Sequence, residues 1–187
     1  MTEVVLLHHA QGLTAGVRSL ADRIRDAGYT VHVPDLFEGA TFDTLADGVA
    51  FARQTGFEEV AARGVEAVSA LDGDLVLVGI SLGAVPAEGI AVTRPGVSGV
   101  VLVSGVVPVG ALDQPWPPDV ALQVHTRADD PDGDLEPARE LVAGLEAAEL
   151  FVYEGEAHPF VDDSLPTYDE AATGLLVERV LEFLADH

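Results

Sequence analysis

Ser81, Asp130 and His158 are the residues whose types and order could do chemistry together. A serine hydroxyl is a weak nucleophile until a base takes its proton, and the base needs an acid to hold it in the right tautomer. Ser81 lies in Gly79-Ile80-Ser81-Leu82-Gly83, a G-x-S-x-G. The apolar run Leu75-Val76-Leu77-Val78 before it reads as a buried strand, and residues 82–91 after it read as a helix. A sharp turn between strand and helix lifts a serine hydroxyl into a cleft. The plainer alternative is a glycine-rich turn whose serine caps the helix.

Asp129-Asp130-Pro131 follows a predicted strand at residues 121–125, and His158 follows another at 150–153, within Glu154-Gly155-Glu156-Ala157-His158-Pro159-Phe160. Serine, acid, histidine is one chain order in which such triads occur. Asp130 is preferred to Asp129, because an Asp-Pro step just past a strand holds its carboxylate in a stiff turn; either could instead cap the next segment. Of the other histidines, His32 and His125 lie on strands and His187 is terminal. An oxyanion needs two N–H donors. Leu82 supplies one, and the loop His8-His9-Ala10-Gln11-Gly12-Leu13 supplies the other, Ala10 first and Gln11 next. His9, Gln11, Trp116 and Phe160 are candidate pocket residues. Adjacent strand residues point to opposite faces, so His8 and His9 do not share an ion, and no metal is expected.

These residues need a scaffold that brings loop ends together. Strands are predicted at 4–8, 30–33, 75–80, 97–104, 121–125 and 150–153, with helices at 17–27, across 42–70 with a break near Gly56, at 82–91, 135–147 and 169–185. Pro86 predicts a distortion in the helix after the serine. In the last helix Leu175, Leu176, Val180 and Phe183 are expected to face inward. The alternation predicts a mostly parallel sheet of about six strands with helices on both faces. If the first and third strands are neighbours, the serine turn and the first loop meet at a topological switch point. The loops at 106–119, with Pro108, Pro115, Pro117 and Pro118, and at 154–166 fall at strand ends.

Composition limits the functions available. The 187 residues suit one domain, 1–187, and 48% are hydrophobic, enough for a proper core. There are 32 acidic residues against 9 basic ones, a net charge of -23. Nucleic acid and anionic membrane surfaces are disfavoured as partners, since both need a basic face. No cysteine is present, which removes thiol catalysis and disulfides. Met1-Thr2-Glu3-Val4 lacks a basic region and a cleavage site, so the expectation is a cytoplasmic protein, a monomer or homodimer, without a cofactor.

His8 to Leu13, Val33-Pro34-Asp35-Leu36-Phe37, Gly79 to Gly83, Asp130-Pro131 and Tyr153 to Phe160 together resemble the dienelactone hydrolase family of the α/β-hydrolases. The resemblance spans Val4 to Leu184. It implies a compact α/β-hydrolase without a large lid and hydrolysis of a small ester or lactone with no cofactor. By position it makes Ser81 nucleophile, Asp130 acid and His158 base. Three departures stand out. The well-studied members have a cysteine nucleophile, a glutamate where His9 stands, and arginines for a substrate carboxylate where this chain has Val161-Asp162-Asp163. A neutral ester, lactone or thioester is therefore the expected substrate, with an acidic rim repelling anions. Acyl transfer on the same fold, or a binding protein that kept it, are the alternatives.

Overall fold

The computed structural model describes residues 2–112 and 114–187. The elements run β1 (Glu3–Leu7), α1 (Ala15–Asp26), β2 (Thr30–His32), α2 (Leu45–Thr55), α3 (Phe57–Ser69), β3 (Leu75–Ile80), α4 (Ala84–Thr93), β4 (Val97–Val103), β5 (Ala121–Arg127), α5 (Leu135–Ala143), β6 (Ala148–Tyr153) and α6 (Glu170–Asp186). The strands form one sheet in the order β2-β1-β3-β4-β5-β6, and every pair is parallel. All carboxyl ends therefore lie at one edge. The order leaves β1 for β2 on one side and for β3 on the other, so the loops after β1 and β3 open beside each other.

Alternation along each strand builds two cores. Val4, Leu6, Val76, Val78, Val101 and Val103 pack with Leu20 and Ile24 of α1 and Val180 and Leu184 of α6. Val5, Leu7, Leu75, Leu77, Val100 and Leu102 face the other way, onto Val60 of α3, Ile90 of α4 and Leu141 of α5. β3 is buried at all its positions because helices cover both faces, hence its unbroken apolar run. No lid-sized insertion interrupts the described residues, and no helix among them is long and apolar enough to cross a membrane.

Three element predictions are corrected. Leu175 is 41% exposed, because the buried stripe of α6 is Thr173, Leu176, Val177, Val180, Phe183 and Leu184, and Leu175 falls outside that spacing. Pro86 does not distort α4. Ser81–Gly83 form a separate 3₁₀ turn, so α4 begins at Ala84 and Pro86 lies in its first turn, where N–H groups have no intrahelical acceptor. β5 continues two residues beyond His125, which puts Arg127 on the strand.

Candidate active site

Ser81 takes a left-handed backbone, φ 50°, directly after β3. For a residue with a side chain this costs on the order of 1–3 kcal/mol and persists only where the surroundings impose it. Here the flanking residues do so. A Cβ on Gly79 would lie 2.7 Å from the Gly83 carbonyl oxygen, and one on Gly83 would collide with the Leu7 carbonyl at the end of β1. Only glycine lets the turn close on itself and seat on the neighbouring strand.

The result is a hydrogen-bonded relay. Ser81 Oγ lies 2.8 Å from His158 Nε2, and His158 Nδ1 lies 2.6 Å from Asp130 Oδ2. The His158 and Asp130 side chains are almost wholly shielded from solvent. Three loops supply the three groups, following β3, β5 and β6. The parallel sheet brings together residues 77 and 28 positions apart. Asp130 Oδ1 also accepts the Asp132 N–H at 2.9 Å, fixing the carboxylate within its turn. Asp129 is exposed, and its N–H donates to the Gly155 carbonyl. The structure thus joins Asp130, not Asp129, to the histidine.

The loop after β1 is organised around both faces of the strand end. His8 Nδ1 donates to the His9 carbonyl at 2.8 Å, and His8 Nε2 accepts the Leu36 N–H at 2.9 Å. Burial lowers the His8 pKa to about 4, so the ring stays neutral and can accept. His9 turns to the opposite side, where Nε2 meets Asp162 Oδ2 at 2.8 Å and Nδ1 accepts the Gln11 N–H at 3.2 Å. The Gln11 N–H is therefore engaged. The buried Ala10 N–H donates to no protein acceptor among the described residues. Leu82 follows Ser81 at the head of the 3₁₀ turn, where N–H groups lack an intrahelical partner.

The predicted pocket needs correction. Phe160 is 0% exposed and packs on Tyr153 and beneath the Arg127 guanidinium, so it is core. His9 is buried and bonded to Asp162 and the Gln11 N–H, and Gln11 is buried with its Oε1 unpartnered, so neither lines an open wall. Trp116 Nε1 donates to the Val120 carbonyl at 2.8 Å, just before β5 begins. That is the amino edge of the sheet, opposite the serine. Trp116 instead lines a cavity of about 490 Å³ with Val107, Leu112, Leu141 and Leu145. The acids after His158 are tied down, while Asp129, Asp132, Glu154 and Glu156 of the two loops that carry the acid and the base are exposed. Asp162 is 1% exposed and paired with His9, and Asp163 accepts from Ser19 of α1 at 2.5 Å. Arg127 pairs with Asp169 at 2.8 Å and donates to the Glu154 carbonyl, not to Asp129 or Asp132.

Sequence reasoning missed Glu88. This residue of α4 is completely buried, with Oε1 accepting the Val107 N–H at 2.7 Å and Oε2 unpartnered. The signal was present, since Glu88 is the only charged residue between Asp74 and Arg94.

A family model described as the dienelactone hydrolase family matches residues 1–187. A search of curated proteins finds no significant match. Among solved structures, the chain resembles a dienelactone hydrolase-like promiscuous phosphotriesterase from metagenomic libraries at TM-score 0.77, with 19% identity over 100% of this chain and 86% of that one. A dienelactone hydrolase from Anabaena variabilis matches at TM-score 0.70, with 16% identity over 100% and 87% of the two chains. A metagenome-derived lipolytic enzyme matches at 0.68, with 18% identity over 100% and 94%.

Proposed function

The chain belongs to the dienelactone hydrolase family, and we propose that within it this protein is a serine hydrolase cleaving a small, neutral ester, lactone or thioester. The continuous relay from Ser81 through His158 to Asp130, at 2.8 and 2.6 Å, supports this reading. His158 Nε2 takes the Ser81 proton as Oγ attacks the substrate carbonyl. Asp130 holds the ring so that Nδ1 keeps its proton and stabilises the imidazolium that forms. The Leu82 and Ala10 N–H groups receive the oxyanion, whose charge develops where no other protein group uses the Ala10 donor. His158 returns the proton to the leaving alcohol or thiol. Water, deprotonated by the same nitrogen, then releases the acyl group from Ser81.

The test uses p-nitrophenyl esters of increasing acyl length together with fluorophosphonate labelling. Wild-type protein should turn over at least the short esters and be labelled at Ser81. Ser81→Ala should lose the label and about 10⁴- to 10⁶-fold in kcat while staying folded. A folded Ser81→Ala protein with full activity refutes the proposal.

A further inference from the structure

We propose, resting on that reading, that His9 and Asp162 are positioning residues that set the oxyanion donor and the base as one unit. The pair joins two loops that are otherwise far apart in the chain. His9 lies between β1 and Ala10. Asp162 lies four residues after His158. Both side chains are buried, at 0% and 1% exposure, and they meet at 2.8 Å across 153 positions of sequence.

Each atom of the pair has a defined task. The His9 ring accepts at Nδ1 from Gln11, so its proton sits on Nε2 and is donated to Asp162. The other Asp162 contacts complete the carboxylate. Oδ2 also accepts from the Thr14 hydroxyl, the cap of α1, and Oδ1 accepts the Ser164 N–H at 2.9 Å and its hydroxyl at 2.6 Å. Burial alone would raise the Asp162 pKa; the bonds from His9, Ser164 and Thr14 outweigh it and bring it down to about 2. The carboxylate stays charged and keeps its donors throughout the working range.

The effect reaches Ala10 through the peptide between residues 9 and 10. The His9 carbonyl accepts from His8 Nδ1 at 2.8 Å and from the Gly12 N–H at 3.0 Å. A trans peptide is planar, so its N–H points opposite its carbonyl. With the carbonyl held from one side, the Ala10 N–H is turned to the other, where it has no protein acceptor among the described residues. The next carbonyl, that of Ala10, is pressed against Gly48 of α2, where a Cβ would collide with it. The Gln11 carbonyl accepts the Phe42 N–H at 3.0 Å. His9 Nδ1 closes this set by holding the Gln11 N–H. The Asp162 end then ties the same ring to the chain that bears His158. A shift of one loop moves the other.

Two substitutions separate the two ends of the ring. His9→Asn keeps an acceptor near the Nδ1 position and loses the reach to Asp162. His9→Gln keeps a donor near the Nε2 position and loses the acceptor for Gln11. Each variant is compared with wild type and with Asp163→Asn, whose exposed carboxylate bonds only Ser19, on one p-nitrophenyl ester and with phenylboronic acid, which becomes tetrahedral on a serine. Both His9 variants should lose about 10- to 100-fold in kcat with KM changed less than about twofold, and boronate affinity should fall by the same factor as kcat. Asp163→Asn should match wild type. Wild-type kcat and boronate affinity in a folded His9→Asn or His9→Gln protein overturn the proposal. So does a loss confined to KM or to melting temperature. Should one variant fail to fold, the other decides, since each retains one of the two bonds. If wild type neither turns over the ester nor takes the fluorophosphonate label, the hydrolase reading itself falls. An active wild type with silent His9 variants removes only the positioning role.

Discussion

Glu88→Gln should make the protein more stable at neutral pH, by an amount that grows with pH. The carboxyl is fully buried on α4, with one oxygen on the Val107 N–H and the other unpartnered. Burial raises its pKa to about 8; the Val107 N–H opposes this and nearby Asp134 adds to it. The unfolded chain ionises near 4.5, so between about pH 4.5 and 8 the folded protein holds a proton that the unfolded chain has released. Stability then falls as pH rises, at up to about 1.4 kcal/mol per unit. From 4.5 to 7 this amounts to about 3 kcal/mol. Glutamine keeps the Oε1 acceptor and cannot ionise. Its buried amide hydrogens lack partners, a cost of about 1–3 kcal/mol that does not vary with pH. The pH-dependent difference is read from urea unfolding of both proteins at pH 5, 6, 7 and 8 at fixed ionic strength, followed by the fluorescence of the single tryptophan. The titration of the other acids cancels in the comparison. With m near 1–3 kcal/mol/M, the midpoint difference should widen by about 1–3 M between pH 5 and 7 and flatten above 8. A difference that does not change with pH would show that Glu88 is already ionised in the folded protein, and the argument from burial would fail.

Asp130→Asn should cost about 10⁴ in kcat on an ester and Asp129→Asn far less, because of the two aspartates Asp130 alone bonds the His158 ring; the reverse order in steady-state assays would displace Asp130 as the acid. His8 and His125 have pKa values lowered by burial to about 4 and about 3. Unfolded imidazoles take up protons near 6.5, so these groups lower stability as pH falls below that value. NMR titration should show both rings still neutral at pH 5, and a midpoint near 6.5 for either would refute this. Neutral esters should exceed carboxylate-bearing analogues of the same shape in kcat/KM, since Arg127 is already held by Asp169 and Glu154 and the net charge is -23. The gap should narrow with added salt, and a preference for the anion at low salt would mean that another arginine reaches the substrate.

What the sequence makes legible here is local chemistry plus strand order. The run Leu75 to Ile80 needs cover on both faces, and the glycines around Ser81 permit a turn that other residues would block. Once the strands are parallel, residues just after β3, β5 and β6 must share an edge, which is why Ser81, Asp130 and His158 could be placed together. The errors arise where direction, rather than position, decides. Phe160 is two residues from His158, yet it turns into the core between Tyr153 and Arg127. Trp116 lies in a long loop that starts at the carboxyl edge after β4 and must finish at the amino edge before β5. The sequence shows both ends of that loop, but only the bond to Val120 shows which end holds the indole. The His9–Asp162 pair has no local pattern at all, since its partners are 153 residues apart.

The acidic composition is where the bulk property misleads most about the site. A net charge of -23 suggested carboxylates crowding the catalytic rim. Around the relay, the buried or half-buried acids instead have partners. Asp130 holds His158, Asp162 holds His9, Thr14 and Ser164, and Asp169 holds Arg127 while capping α6. Glu88 avoids charge below about pH 8 by keeping its proton. Desolvation explains the contrast. An unpaired carboxylate near a buried relay would cost several kcal/mol, so those that remain there are matched to donors or neutralised. Unmatched acids can stay only where water solvates them, as at Asp129. The charge buried beside Ser81 is therefore set by a few paired groups, whereas the solvated surplus, Asp129 and Glu156 included, acts on a substrate through a field that salt screens.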